Sequence, residues 1–271
     1  MAQQNPSNPA KGGKPFRFPS GIVIIIAFII SELIFTYVFG SPSNFNPDGT
    51  PKEGNYLAVV HQGGFVVPFL MTMFIVVIVF SIERFVSIRK ASGTGKIADF
   101  LKVVKSNLNG GNIDAAIAAC NKQKGSVANV VQAGLSKYKE MQVNTRLTTE
   151  QKVLNISKEM EEATTLELPI LQKNLPILAT LASVATLIAL FGTVLGMIRA
   201  FAALAVAGQP DPGKLATGIS EALVNTAIGI FTSAIAIIMY NYFTGLIDDL
   251  TFSIDEMGFS ITQTFAATNN D

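Results

Sequence analysis

The sequence predicts an all-α integral membrane protein with four transmembrane helices, two of them long, together with a helical region in the cytoplasm. Two observations carry that prediction. Apolar residues make up 49% of the 271 residues and charged residues only 14%, against about 25% charge in an ordinary soluble domain, and the mean hydropathy is +0.42. The charges are also segregated, leaving four apolar runs at residues 20–40, 64–82, 175–207 and 215–247. Each is near or above the ~20 residues that an α-helix needs to cross a hydrocarbon core of ~30 Å. Barrel strands would be about half as long and would alternate in polarity.

Taken in order, residues 1–19 are rich in Asn, Pro, Gly and Lys and are expected to form a disordered lead. Residues 20–40 are apolar with Glu32 as the only charge. Their basic lead and small-residue end also fit a signal peptide cut after Gly40, but the bulky stretch exceeds a usual signal core, so a retained helix is the expectation. Residues 41–63 form an outer link and 64–82 a charge-free span that ends at Glu83-Arg84. Residues 83–174 hold fourteen of the 20 Lys and Arg, whereas 41–63 hold only Lys52 and 208–214 only Lys214. The positive-inside rule then puts both termini and the 83–174 block in the cytoplasm and the two short links outside. The acidic tail, 248–271, is inside by parity.

Within 83–174, Gly93-Thr94-Gly95 and Asn109-Gly110-Gly111 read as turns. Helices are expected from Asn112 through Cys120, from Val127 to Met141 with Val127, Val130, Val131, Gly134, Leu135 and Tyr138 at helical spacing, and after a Thr148 cap. Pro169 and Pro176 interrupt the last of these near the membrane surface, where kinks are tolerated if neighbours satisfy the freed carbonyls. Cys120 is alone and His61 is the only histidine, which argues against a disulfide framework, a metal site or a histidine-based triad. No phosphate-binding glycine loop is present. With 20 basic against 19 acidic residues, no field for nucleic acid exists. No cofactor and no enzyme activity are expected.

The last two spans carry the most information. Ala179, Ala182, Thr186, Ala189, Thr193, Gly196, Ala200 and Ala203 recur at three and four, as do Ala222, Thr226, Gly229 and Ser233. Such stripes let neighbouring backbones approach closely. Thr186 and Thr193 are seven apart, as are Thr226 and Ser233, so each pair projects in nearly one direction. A threonine in a helix can simply bond its own i−4 carbonyl, which is the packing-only alternative. If the link is centred near Pro210-Asp211, residues whose numbers sum to about 421 share a depth. Thr193 then lies within ~3 Å of the height of Thr226, and Arg199 lies level with Glu221, nearer the outside. An unpaired charge at that depth is expensive, so an Arg199–Glu221 ion pair is expected, with snorkelling of both to the headgroups as the alternative. Glu32 is a candidate for contact with a partner within the membrane, for pairing with Arg199, or for lying neutral in lipid.

LPILATLASVATLIALFGTVLGM followed by GISEALVNTAIGI resembles the signature hairpin of the ExbB/TolQ/MotA family of proton-driven motor subunits, nearest to ExbB. The resemblance extends loosely over residues 64–248, including IERF at 82–85. It implies a homopentameric ring in the bacterial inner membrane around two helices of an ExbD-like partner, which carries the protonatable aspartate. It also implies proton-driven work for a TonB-like protein serving outer-membrane transport. Thr193, Thr226, Thr186, Ser233 and Glu221 become the candidate channel-lining residues. The usual layout has three spans, so residues 20–40 are an addition, and Arg199 has no counterpart in the motif. A flagellar-type stator and a non-conducting scaffold are the alternatives. The chain has no carboxylate at the Thr193/Thr226 level, so by itself it is not a complete proton relay.

Overall fold

The computed structural model describes residues 20–205 and 211–269; the lead at 1–19 and residues 206–210 of the second outer link lie outside it. The described residues contain nine α-helices: α1 Ser20–Leu33, α2 Tyr56–His61, α3 Val66–Ala91, α4 Ile97–Asn109, α5 Ile113–Gln123, α6 Gly125–Val143, α7 Thr149–Gln172, α8 Leu175–Leu204 and α9 Pro212–Thr268. A π-helical turn, Ile34–Phe39, extends α1. Four of the helices, α1 with its extension, α3, α8 and α9, are long and apolar enough to cross a membrane. The protein is an all-α membrane protein.

The additional helix α1 packs along α3. Ala27 and Ser31 are its buried residues, and Ser31 Oγ donates to the Pro68 carbonyl at 2.7 Å. Phe28 and Phe69 meet at 5.4 Å between ring centroids. The rest of α1 is exposed isoleucine and leucine, suited to lipid. Glu32 lies on this exposed side. The 41–63 link is ordered by its own polar side chains. Asn44 Nδ2 donates to the Val38 and Phe39 carbonyls, Asn55 Nδ2 donates to Asn44 Oδ1, and Asn55 caps α2. His61 stacks on Phe35 at 4.6 Å and meets the edge of Phe45.

At the inner end, α7 and α8 are separate helices. Pro169 lies inside α7, the chain turns at Asn174 in the left-handed region, and α8 restarts with Pro176 in its first turn. The carbonyls left over at this break need donors. Arg84, 1% exposed, donates to the carbonyls of Leu171 at 3.2 Å and Ile170 at 3.5 Å. Glu83 holds the guanidinium at 2.6 Å and accepts from Asn174 Nδ2 at 3.1 Å. The Glu83-Arg84 pair that ends the second apolar run is therefore a structural clasp.

Helix α9 continues past the expected end of the span at residue 247. It runs 57 residues to Thr268, ~85 Å at 1.5 Å per residue, so the expected tail is helical as far as Thr268. Phe243, Ile247, Leu250, Ile254, Met257, Ile261 and Phe265 are all buried at steps of three and four, which is one continuous face. Asp248 and Asp249 point outward and do not interrupt it. The inner half of α9 packs with α4, α6 and α7; Tyr138 and Phe265 contact edge to face at 4.8 Å, and Lys105 pairs with Glu256 at 2.7 Å. Asn112 caps α5, and Thr148 with Gln151 forms a capping box on α7.

Candidate functional site: the hairpin of α8 and α9

The most extensive helix contact in the protein is between α8 and α9, and small residues make it possible. A Cβ added to Gly196 would stand 2.7 Å from the Gly218 carbonyl and the Ala222 nitrogen, and one on Gly218 would stand 2.7 Å from the Ala200 nitrogen. Gly229 is closed in by Ala189 and Ala185. The helices thus touch backbone to backbone, the geometry that small-residue stripes permit.

The seam differs from the sequence expectation at one position. The buried residues of α8 include Ala185, Ala189, Gly192, Gly196, Ala200 and Ala203, whereas Thr186 is exposed. A seven-residue step falls about 20° short of two turns on a straight helix, which carries Thr186 round from the seam toward the open side. Thr193 sits between these positions and is half-buried, as is Thr226.

Thr193 and Thr226 are hydrogen-bonded to each other through their hydroxyls. Each hydroxyl is also 3.0 Å from its own i−4 carbonyl, that of Ala189 or Ala222, and Thr193 reaches the Ala222 carbonyl at 3.4 Å. Two hydroxyls bring two protons and four lone pairs. One proton bridges the pair and the other goes to a carbonyl, and either residue can be the bridging donor. Lone pairs remain on both oxygens for a further donor on the half-open side.

Glu221 lies about 7.5 Å from that pair along α9 and Arg199 about 9 Å from it along α8, at 1.5 Å per residue. Arg199 Nη1 contacts both carboxylate oxygens at 2.6 and 2.8 Å. The carboxylate side is closed, with Glu221 only 3% exposed, while the arginine side chain is 52% exposed and lies over the Phe65 ring at 5.9 Å. Gly64, with φ +73°, brings the outer link against the carboxylate; a Cβ there would be 2.7 Å from Oε1. The ion pair is therefore built from three parts of the chain. Glu32, on α1, is not among its members.

Between the ion pair and the hydroxyl pair stands Asn225, fully buried. Its Nδ2 donates to the Gly63 carbonyl at 3.0 Å, and its Oδ1 meets no donor among the described residues. It fills the space opposite Gly192, where a Cβ would be 2.8 Å away. Further inward, Ser233 donates to the Ala182 carbonyl across the seam. From Glu221 to Ser233 these polar groups span ~18 Å of helix in an otherwise apolar hairpin. Asn225 lies one turn from Glu221 in the sequence, but its burial and the roles of Gly63 and Gly64 have no signal there, because a link residue's contact with a distant helix leaves no periodicity.

Among the described residues, no group of three or more His, Cys, Asp or Glu is placed to hold a metal. The site consists of hydroxyls, an amide and one ion pair, a set that can orient a proton donor or acceptor but offers no nucleophile activated by a base.

Comparison with known proteins places this geometry. Over 118 residues the chain is 33% identical to the Tol-Pal system protein TolQ of Pseudomonas aeruginosa, a match covering 44% of this chain and 51% of that one. It is 48% identical over 75 residues to TolQ of Haemophilus influenzae, covering 28% and 33%. It is 28% identical over 111 residues to the biopolymer transport protein ExbB of Xanthomonas campestris, covering 41% and 44%. The chain thus spans about half or less of the length of these curated relatives. Residues 122–256, which contain all of α8 and the candidate residues of α9, match the model of the MotA/TolQ/ExbB proton channel family. The chain carries a domain of the MotA/TolQ/ExbB proton channel family.

Proposed function

We propose that this protein is a ring-forming subunit of a motor driven by the proton-motive force in a bacterial inner membrane, with both termini and residues 83–174 in the cytoplasm. Its partner would be a single-span, ExbD-like protein carrying the protonatable aspartate, and a homopentamer around two partner helices is the assembly that the resemblance implies. The observation that carries the reading is the Thr193–Thr226 hydroxyl pair, half-buried at one height in an apolar hairpin.

The physical division of labour follows from what a hydroxyl can do. It donates and accepts without carrying a fixed charge. A partner carboxylate is ionised where water or a hydroxyl reaches it and protonated where apolar surface surrounds it. Five hydroxyl stations around two helices cannot match both partner acids at once, so alternating protonation biases rotation. Thr186 and Ser233 extend the polar line on either helix, and Glu221 with Arg199 marks its outer end. Glu32, exposed on α1, would serve a lipid or partner contact.

Relatives named for both the Tol-Pal and the biopolymer transport systems support an envelope machine rather than a flagellar stator. Work delivered to a TonB-like protein is one such role and work in a Tol-type system is the other. The competing reading, a non-conducting scaffold, draws on the i−4 carbonyls that stand 3.0 Å from both hydroxyls, either of which can take the proton not used in the bridge. Thr193→Val with Thr226→Val separates the two, since valine is close in volume and lacks the hydroxyl. The motor reading expects normal assembly and loss of proton-dependent transport. Full transport in the double variant refutes it.

A further inference from the structure

The cytoplasmic end of α3 holds a pocket outside the hairpin that none of the functional residues uses. It has a volume of about 500 Å³ and is lined by Phe85, Val86, Arg89, Lys90, Gly93, Thr94 and Lys124. Three of these seven are cationic and none is acidic. Among the described residues, no carboxylate lies within 4.0 Å of Arg89, Lys90 or Lys124. The pocket is therefore unbalanced in charge, with three cations and no carboxylate among its lining residues.

Depth makes the chemistry specific. Helix α3 has 26 residues, ~39 Å against a hydrocarbon core of ~30 Å. Starting from Val66 at the outer edge, the core ends near Phe85. Arg89 lies ~6 Å further in, at the height of the headgroups. Above it on the same face, at steps of four and three, stand Ile78, Ile82 and Phe85, all exposed. Val79 and Val86 are exposed on the adjoining line toward Lys90, with the half-exposed Glu83, held by Arg84, between them. An apolar track therefore descends into a cationic cup.

The cup is also pre-built. Gln123 Nε2 holds the carbonyls of Ser92 at 2.9 Å and Gly95 at 3.1 Å, and Thr94 bonds the Lys122 and Gln123 carbonyls. Lys124 adopts φ 58° and ψ 178°, a region that is essentially glycine's and strains any side chain. Its neighbour Gly125, at φ +86°, has no such penalty. Strain of this kind at a non-glycine residue points to a use for the side chain. Helix α6 begins here without a side-chain cap, so its positive end adds to the same potential.

We infer that this pocket binds the phosphate headgroup of an anionic phospholipid from the inner leaflet, with its acyl chains lying along Ile78, Ile82, Phe85 and Val86. Arg89 and Lys90 meet the phosphate from α3, and Lys124 meets it from the α5–α6 turn. The lipid then ties the membrane helix α3 to the cytoplasmic bundle at the point where α5 and α6 dock.

The test uses the full-length protein purified in detergent and exchanged with phosphatidylglycerol or phosphatidylcholine, with retained lipid counted by native mass spectrometry. Wild type is expected to keep phosphatidylglycerol in clear preference to phosphatidylcholine. Lys124→Gly removes one cation and relieves the strained backbone, so it should fold at least as well while losing preference about fivefold; Arg89→Gln/Lys90→Gln/Lys124→Gly should lose on the order of a hundredfold. Lys139→Gln/Lys158→Gln, with both sites ~21 Å from the membrane ends of α6 and α7, should retain wild-type preference. Equal retention of the two lipids by wild type overturns the assignment. So does an unchanged triple variant, an equal loss in the Lys139/Lys158 control, or full displacement of the lipid by millimolar inorganic phosphate, which would mark a site for the free anion instead.

Discussion

Removing Arg199 tests the ion pair at the outer end of the hairpin. Its Nη1 lies 2.6 and 2.8 Å from the two oxygens of Glu221. Charge centres ~4 Å apart interact by about 4 kcal/mol at an effective dielectric constant near 20. The arginine is 52% exposed on its side chain, and screening there reduces the figure to about 2 kcal/mol. The two single variants should be unequal. Glu221→Gln leaves an arginine that can extend toward the headgroups and should cost about 1 kcal/mol or less. Arg199→Met leaves a carboxylate that is 3% exposed without its cation and should cost about 3 kcal/mol. Unfolding in mixed micelles, run as a double-mutant cycle, reads the coupling directly. A coupling near 2 kcal/mol exceeds the ~0.6 kcal/mol typical of hydrogen bonds between membrane helices. Equal single-variant costs with a coupling below ~0.5 kcal/mol would mean that both side chains reach solvent independently, and the reasoning about a closed carboxylate would fail.

Three other outcomes follow from particular contacts. Gly196→Ala places a methyl 2.7 Å from backbone atoms of Gly218 and Ala222 and should destabilise by about 1–3 kcal/mol, whereas Gly245→Ala, with nothing within 4 Å, should be neutral or stabilising by up to about 1 kcal/mol; the same unfolding assay compares them. Burial lowers the pKa of His61 below its usual 6.5, so the folded 41–63 link disfavours the charged ring: the contribution of His61 is complete above pH ~6.5 and declines as pH falls below it, and hydrogen-exchange protection factors over residues 41–63, corrected for the intrinsic rate at each pH, should fall on acidification in wild type but not in His61→Phe. Burial also raises the Cys120 thiol to about 12 from 9.0, so alkylation at pH 8 should run about a thousandfold slower in the folded protein than in the unfolded chain.

Much of this protein was legible from residue order because the bilayer imposes a one-dimensional rule. A span must be apolar for about 20 residues, so α1, α3, α8 and the outer part of α9 stand out wherever charge is absent. Hairpin arithmetic also worked for a physical reason: two helices rising 1.5 Å per residue from one link stay in step. Counting from the link therefore puts Thr193 level with Thr226 and Arg199 level with Glu221, as the structure pairs them. The inner half of α9 escaped the same rule. Outside the membrane a helix needs only one apolar face, and Asp248 and Asp249 end a hydrophobic run without ending the helix that Phe243 through Phe265 continue to bury.

Composition and spacing by themselves determined the membrane class, the four spans and the heights of the polar groups, while the residue identities of the hairpin motif carried the family resemblance. Tertiary structure alone decided which side of each helix is closed. It turned Thr186 outward while Gly192 went into the seam, set Gly64 against Glu221, buried Asn225 with a free acceptor, and spent Glu83 and Arg84 on the break between α7 and α8. Depth along a helix is fixed by counting residues, but rotation about its axis is fixed by what packs against it, and that information belongs to the neighbouring helices.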